Sequence, residues 1–205
     1  MFRKEMAAVV MVAATFGSPA AAGLVASGFD SGLEGWTLSG GDAFWIGTGG
    51  NPGGYLQATD TVASLMTLTA PPAFTTAPLP VGGVLSFDFI ELQNPDANFG
   101  SAGTVTIEGG GFSASRDLIP NDPGATWQSY SAQLTAALWG VDEATWAAIL
   151  SSPTAITIDI ESGSRISERV GVDNIAIHPA PIPIPASALL LLAGLGAAAG
   201  LRARA

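Results

Sequence analysis

The 205-residue sequence has no cysteine, which excludes disulfide staples and thiol catalysis. Basic residues are nearly as scarce. Lys4 is the only lysine, and Arg116, Arg165 and Arg169 are the only cations between residues 23 and 178. Sixteen acids share that stretch, so its net charge is −13. Such a surface repels nucleic acid and anionic headgroups and suits divalent cations or neutral sugars. His178 is the only histidine and stands at the edge of the stretch. No Ser-His-Asp set centred in the domain and no His-rich metal spacing is available. These absences argue against an enzyme. They leave stability to core burial, with a bound metal as one further contributor.

The two ends are apolar. Arg3 and Lys4 precede an uncharged run, Ala7 to Phe16, broken by Gly17, Ser18 and Pro19. Ala20 and Ala22 then supply small residues at the −3 and −1 positions of a cleavage site. This is the layout of a secretory signal peptide over residues 1–22. A buried N-terminal helix is the alternative. At the other end, Pro181-Ile182-Pro183-Ile184-Pro185 predicts a stiff extended spacer, because proline fixes φ and lacks an amide hydrogen. Residues 179–186 form this linker, and residues 187–205 an apolar helix ending in Arg202 and Arg204. The apolar part, Ser187 to Leu201, is short for a full span of about 20 residues, but the terminal arginines fit a cytoplasmic C-terminus.

Between the ends, residues 23–178 read as one all-β domain. Gly and Pro punctuate short runs rich in Val, Ile, Thr and Phe, the spacing of a β-sandwich. Leu85, Phe87 and Phe89 alternate with Ser86 and Asp88. Val105 and Ile107, and Ile156, Ile158 and Ile160, alternate with polar neighbours in the same way. Weaker strand candidates lie at 24–29, 43–46, 55–58, 62–69, 127–134 and 172–177. One short helix is predicted after Asp142, a good N-cap, with Val141 and Trp146 as a hydrophobic staple and Pro153 as its stop.

Two resemblances add to this reading. Pro183-Ile184-Pro185-Ala186, followed by the Leu-rich helix and the arginines, resembles the VPLPA type of PEP-CTERM sorting signal. That implies a Gram-negative bacterium, transient anchoring in the inner membrane, and removal of the tail by an exosortase- or rhombosortase-type protease. A permanent anchor is the alternative. Within the domain, Phe29-Asp30-Ser31-Gly32-Leu33-Glu34-Gly35-Trp36, Gly49-Gly50-Asn51-Pro52-Gly53-Gly54-Tyr55, Trp127-Gln128-Ser129-Tyr130 and Val172-Asp173-Asn174-Ile175 together resemble the laminin B domain, also called laminin domain IV. The resemblance spans roughly residues 28–177, with residues 91–125 matching less well. It implies a jelly-roll β-sandwich of the galactose-binding and carbohydrate-binding-module kind, acting in adhesion or matrix structure.

The candidate sites follow. If Ile175 and Ile177 face the core, period 2 points Asp173 inward, where a carboxylate needs backbone donors or a cation. Asp30 ends the first strand, which neighbours the last in a jelly roll, so Asp30 and Asp173 are candidate ligands for a structural Ca²⁺. Capping of a turn by Asp173 is the alternative. Trp45, Tyr55 and Trp139 are candidates for sugar stacking, whereas Trp36, Trp127 and Trp146 read as core. The Gly47–Gly54 stretch reads as a flexible turn. Asp88, Asp159 and Glu161 read as a solvated face, with glycosidase carboxylates as the alternative. No catalytic residue is assigned. The expected function is an exported, non-catalytic surface or matrix protein associated with polysaccharide; the alternatives are a carbohydrate-binding module with a defined groove and a carboxylate-dependent glycan hydrolase or lyase.

Overall fold

The alternation in Val84–Gln93 becomes a strand with a dry side and a wet side. Leu85, Phe87 and Phe89 are buried at 1% exposure or less, each worth about 2 kcal/mol of apolar burial. A computed structural model describes residues 25–93, 102–163 and 166–180 of the chain. The signal segment with Ala20 and Ala22 lies outside the described residues, as do the Pro183-Ile184-Pro185-Ala186 motif and the apolar helix.

The strands are β1 (Val25–Ser27), β2 (Thr37–Ser39), β3 (Gly41–Gly50), β4 (Gly53–Asp60), β5 (Thr67–Thr69), β6 (Val84–Gln93), β7 (Thr104–Gly109), β8 (Phe112–Asp117), β9 (Gln128–Gln133), β10 (Pro153–Asp159) and β11 (Arg169–His178). They form two antiparallel sheets. The larger has the order β3-β4-β11-β6-β9, with β1 added against β11; the smaller has the order β2-β5-β10-β7-β8. Their inner faces make one core from Leu56, Leu85, Phe87, Phe89, Val105, Ile107, Ile156, Ile158, Val172 and Ile175, among others. This is the β-sandwich that the alternation predicts. The first and last strands are neighbours as expected, with Val25 opposite Ile177 and Ser27 opposite Ile175.

Three local readings change. The stretch 62–69 is mostly loop, and only Thr67–Thr69 pairs. Strands β2 and β8 carry no apolar alternation and were not expected; pairing with β5 and β7 makes them. A one-turn helix α1 (Ala136–Trp139) precedes the expected helix α2 (Glu143–Ser151). The N-cap of α2 forms as read: Asp142 Oδ1 accepts from the amides of Ala144 at 3.0 Å and Thr145 at 2.9 Å. Trp146, Ile149 and Leu150 bury the inner face of α2.

The last strand holds the largest departure. Its pairing with β6 slips between Asp173 and Ala176, and Asn174 takes a left-handed φ of 49°. This is a β-bulge, in which one extra residue flips the alternation. Asp173 pairs with Asp88 on the outer side, while Ile175 returns to the core. Asp173 therefore does not share the side of Ile175 and Ile177. The period-2 reading crossed a position where the period breaks.

Candidate functional site

The outer face of the larger sheet carries the polar chemistry. Pairing sets Ile46 beside Tyr55 on β3 and β4, and aligns Asp173, Asp88 and Ser129 across β11, β6 and β9. The β3–β4 connection folds over this row. The Asn51 amide donates to Asp173 Oδ2 at 2.6 Å, and Asn51 Nδ2 to Asp88 Oδ2 at 3.1 Å. Asn174 Nδ2 donates to the Asn51 carbonyl at 2.5 Å and to Asp88 Oδ2 at 2.8 Å. Trp127 Nε1 holds the Gly49 carbonyl at 2.9 Å. The connection needs its glycines: a Cβ on Gly50 would stand 2.7 Å from Asp173 Oδ2. The Gly47–Gly54 stretch is thus pinned at several points, in contrast to the flexible turn expected from its composition.

Beneath this cover Asp173 is fully buried. Its Oδ1 accepts the Asn174 amide at 2.7 Å, so each oxygen has one backbone donor. Burial pushes its carboxyl above the ordinary aspartate range; the two amides oppose that, and Asp88 and Asp30 add to it. The backbone-capping alternative describes these contacts. Asp30 is exposed, and Asp30 Oδ1 lies 3.4 Å from where a Cβ on Gly53 would sit. The structure brings Asp30 and Asp173 into electrostatic range of each other. Among the described residues, no group of three or more His, Cys, Asp or Glu side chains is arranged to hold a metal. A Ca²⁺, which takes six to eight oxygens, would therefore have to draw on backbone carbonyls and solvent besides these two carboxylates.

Asp88 was read as part of a solvated face, yet it is only 7% exposed. Besides the two asparagines, Ser129 Oγ donates to its Oδ1 at 2.5 Å. Below it lies a groove of about 360 Å³ lined by Ala26, Ser27, Gly28, Ser86, Asp88, Ser129, Asn174, Ala176 and His178. Its floor is small side chains, with Ala26, Ala176 and Ser86 in one paired row. Polar groups wall it.

The aromatic candidates divide. Trp45 is 44% exposed, and its Nε1 donates to the Phe29 carbonyl at 2.6 Å. Tyr55 is 8% exposed and meets Trp127 edge to face at 5.4 Å. Trp139 offers no free ring face: it is 3% exposed and stacks on Trp146 at 5.2 Å, with its Nε1 on the Gln133 carbonyl. Its turn-like neighbours concealed a core residue. Trp127, read as core, is half-buried and packs on the outer face beside Tyr55. These rings close over Gly171, where a Cβ would come 3.0 Å from Trp127 Cη2 and 3.1 Å from Tyr55 Cδ2. Sequence reasoning missed Phe44, 49% exposed on the same face beside Gln57. Its alternation with Ala43 and Trp45 inside an edge strand was the available signal.

A second acidic cluster lies at the far end of β11. Glu168 is fully buried, and its Oε1 accepts the Ser162 amide at 2.7 Å while Oε2 accepts the Gly163 amide. Burial above all, with Glu161 and Asp60 nearby, pushes it up to about 7. Burial likewise raises Glu161, which accepts the Met66 amide at 3.0 Å.

No family model and no curated protein sequence matches the chain. Solved structures do. The chain is similar to an exo-β-agarase at 18% identity and a TM-score of 0.54, over 75% of this chain and 24% of the agarase. It thus spans about a quarter of that enzyme's length. It is similar to the CBM22-1 xylan-binding domain of Paenibacillus barcinonensis Xyn10C at 15% identity and a TM-score of 0.51, over 75% of this chain and 92% of that domain. It is also similar to the L4b domain of human laminin α-2 at 13% identity and a TM-score of 0.53, over 62% of this chain and 80% of that domain. At these identities the likeness is one of fold. The chain shares the β-sandwich of carbohydrate-binding and laminin domains.

Proposed function

We propose that the chain is an exported, non-catalytic protein of the cell surface or extracellular matrix that associates with polysaccharide through the outer face of its larger sheet. The observation that carries this reading is the groove of about 360 Å³ beneath Asp88. Its volume falls in the range of ligand sites, its small-residue floor admits a ring, and its walls supply convergent polar groups. The xylan-binding name of one similar domain supports the reading. Asp88 and Asp159, on which a hydrolase reading would rest, stand in different sheets, β6 and β10. The groove favours the more defined form of the proposal, a carbohydrate-binding module with a sugar site.

Export, and processing of the tail by an exosortase- or rhombosortase-type protease, rest on the two terminal sequences. A structural calcium between Asp30 and Asp173 is supported by the place of Asp30 beside the buried Asp173, whose carboxylate Asp88 and Asp30 both repel, a repulsion that a cation would relieve. Binding of the full chain to a panel of neutral, acidic and amino polysaccharides tests the central reading: saturable binding is expected, and silence across the panel refutes it. The intact mass of the exported protein tests the processing, which requires loss of residues 1–22 and of the segment after about Pro185.

A further inference from the structure

The hydrogen-bond inventory of the groove narrows the class of sugar. The side-chain donors of Asn174 and Ser129 on its polar wall are already committed. Asn174 Nδ2 faces two acceptors, the Asn51 carbonyl at 2.5 Å and Asp88 Oδ2 at 2.8 Å, so both of its hydrogens are used. The Ser129 hydroxyl donates to Asp88 Oδ1 at 2.5 Å. What these two residues leave toward the groove are acceptors, Asn174 Oδ1 and the lone pairs of Ser129 Oγ. Ser86 and Ser27 carry hydroxyls that act either way; Ser27 Oγ already accepts from Trp36 Nε1 at 2.9 Å. His178 stands exposed at the rim.

Charge points in the same direction. Among the described residues, no lysine or arginine lines the groove, and Asp88 is its one carboxylate. Residues 23–178 carry −13 overall. A ligand that seats well here must bring donors and gains from bringing positive charge.

We infer that the groove takes a polysaccharide with free amino groups, of the glucosamine type. The inference rests on the polysaccharide reading above. An ammonium group brings three donors and a positive charge to the acceptors that Asn174 and Ser129 present. An uronic-acid polymer is repelled by the same wall. N-acetylation removes the charge, leaves a single N–H donor and adds a carbonyl, an acceptor set against the acceptors of Asn174 and Ser129.

The test compares glucosamine and N-acetylglucosamine oligomers of equal length by calorimetry against the full chain at neutral pH. The free amine is expected to bind about tenfold or more tighter, and to lose most of that advantage between about 50 mM and about 500 mM salt. Ala26 is exposed on the groove floor, outside the Asp88 network. Ala26→Arg should abolish amine binding with an unchanged melting midpoint; amine binding that survives it overturns the inference. Equal affinity for both oligomers, or an amine preference that salt does not weaken, overturns the amino-sugar inference and leaves polysaccharide binding intact. Silence toward both oligomers and toward neutral and acidic polysaccharides overturns the polysaccharide reading, and the inference with it.

Discussion

Replacing Glu168 with glutamine should change how stability depends on pH. The carboxyl is buried and held up at about 7, against an ordinary value of 4.5. Between those two pH values the folded chain keeps a proton that the unfolded chain has released. Stability from this group is therefore fully present below pH 4.5 and lost as pH rises through 7. The gap is worth about 3 kcal/mol at about 1.4 kcal/mol per pH unit. For a domain of this size that is about 6–12 °C in melting midpoint. Glutamine mimics the protonated acid: its carbonyl still accepts the Ser162 amide, while its NH₂ loses the Gly163 amide at about 1 kcal/mol. Glu168→Gln should thus be slightly weaker than wild type at pH 4.5 and more stable by about 2 kcal/mol above pH 8. Urea titrations followed by tryptophan fluorescence, repeated across that range, measure it. Glu161 and Asp173 are raised by burial too and persist in both proteins, so the difference between the two profiles isolates Glu168. Parallel profiles would refute the reasoning.

Asp142→Ala removes a cap that holds the amides of Ala144 and Thr145 and should cost about 1–2 kcal/mol by chemical denaturation. Gly171→Ala forces a methyl against Ile90, Trp127 and Tyr55; about 1–3 kcal/mol of destabilisation and altered near-UV dichroism of the two rings are expected. Trp127→Phe deletes the bond to the Gly49 carbonyl, so amide exchange should quicken in Gly47–Gly54 while the β10 core stays protected. If the Asp30–Asp173 calcium is real, calcium should raise the melting midpoint and chelator reverse it; a midpoint indifferent to both rejects it.

Burial patterns were the legible part of the fold. Leu85-Phe87-Phe89 and Ile156-Ile158-Ile160 announce their strands because one face of each is dry. β2 and β8 were invisible because their residues gain structure from partners, β5 and β7, and not from their own alternation. At the site, Asp173 was singled out for a sound reason, a carboxylate deep in an apolar strand, but its side of the sheet was misjudged. A left-handed Asn174 leaves no signature in hydrophobic periodicity. Asp88 was undervalued for a related reason. Its alternation correctly placed it on the outer side, but burial there comes from the β3–β4 connection, Asn51 and Ser129, all remote in sequence. Trp139 and Trp127 exchanged expected roles because tertiary packing, Trp146 in one case and Tyr55 in the other, decides which rings are covered.

The position of β11 has a mechanical consequence. It is the middle strand of the larger sheet, bonded on one side to β4 and β1 and on the other to β6, and the chain continues from its end past His178. Tension applied at that end runs along the strand axis. The ladders on both flanks then carry the load together in shear, from Arg169 to His178, and do not peel one rung at a time. A protein pulled from this terminus, with its outer face holding on elsewhere, grips hardest in the direction of its own last strand.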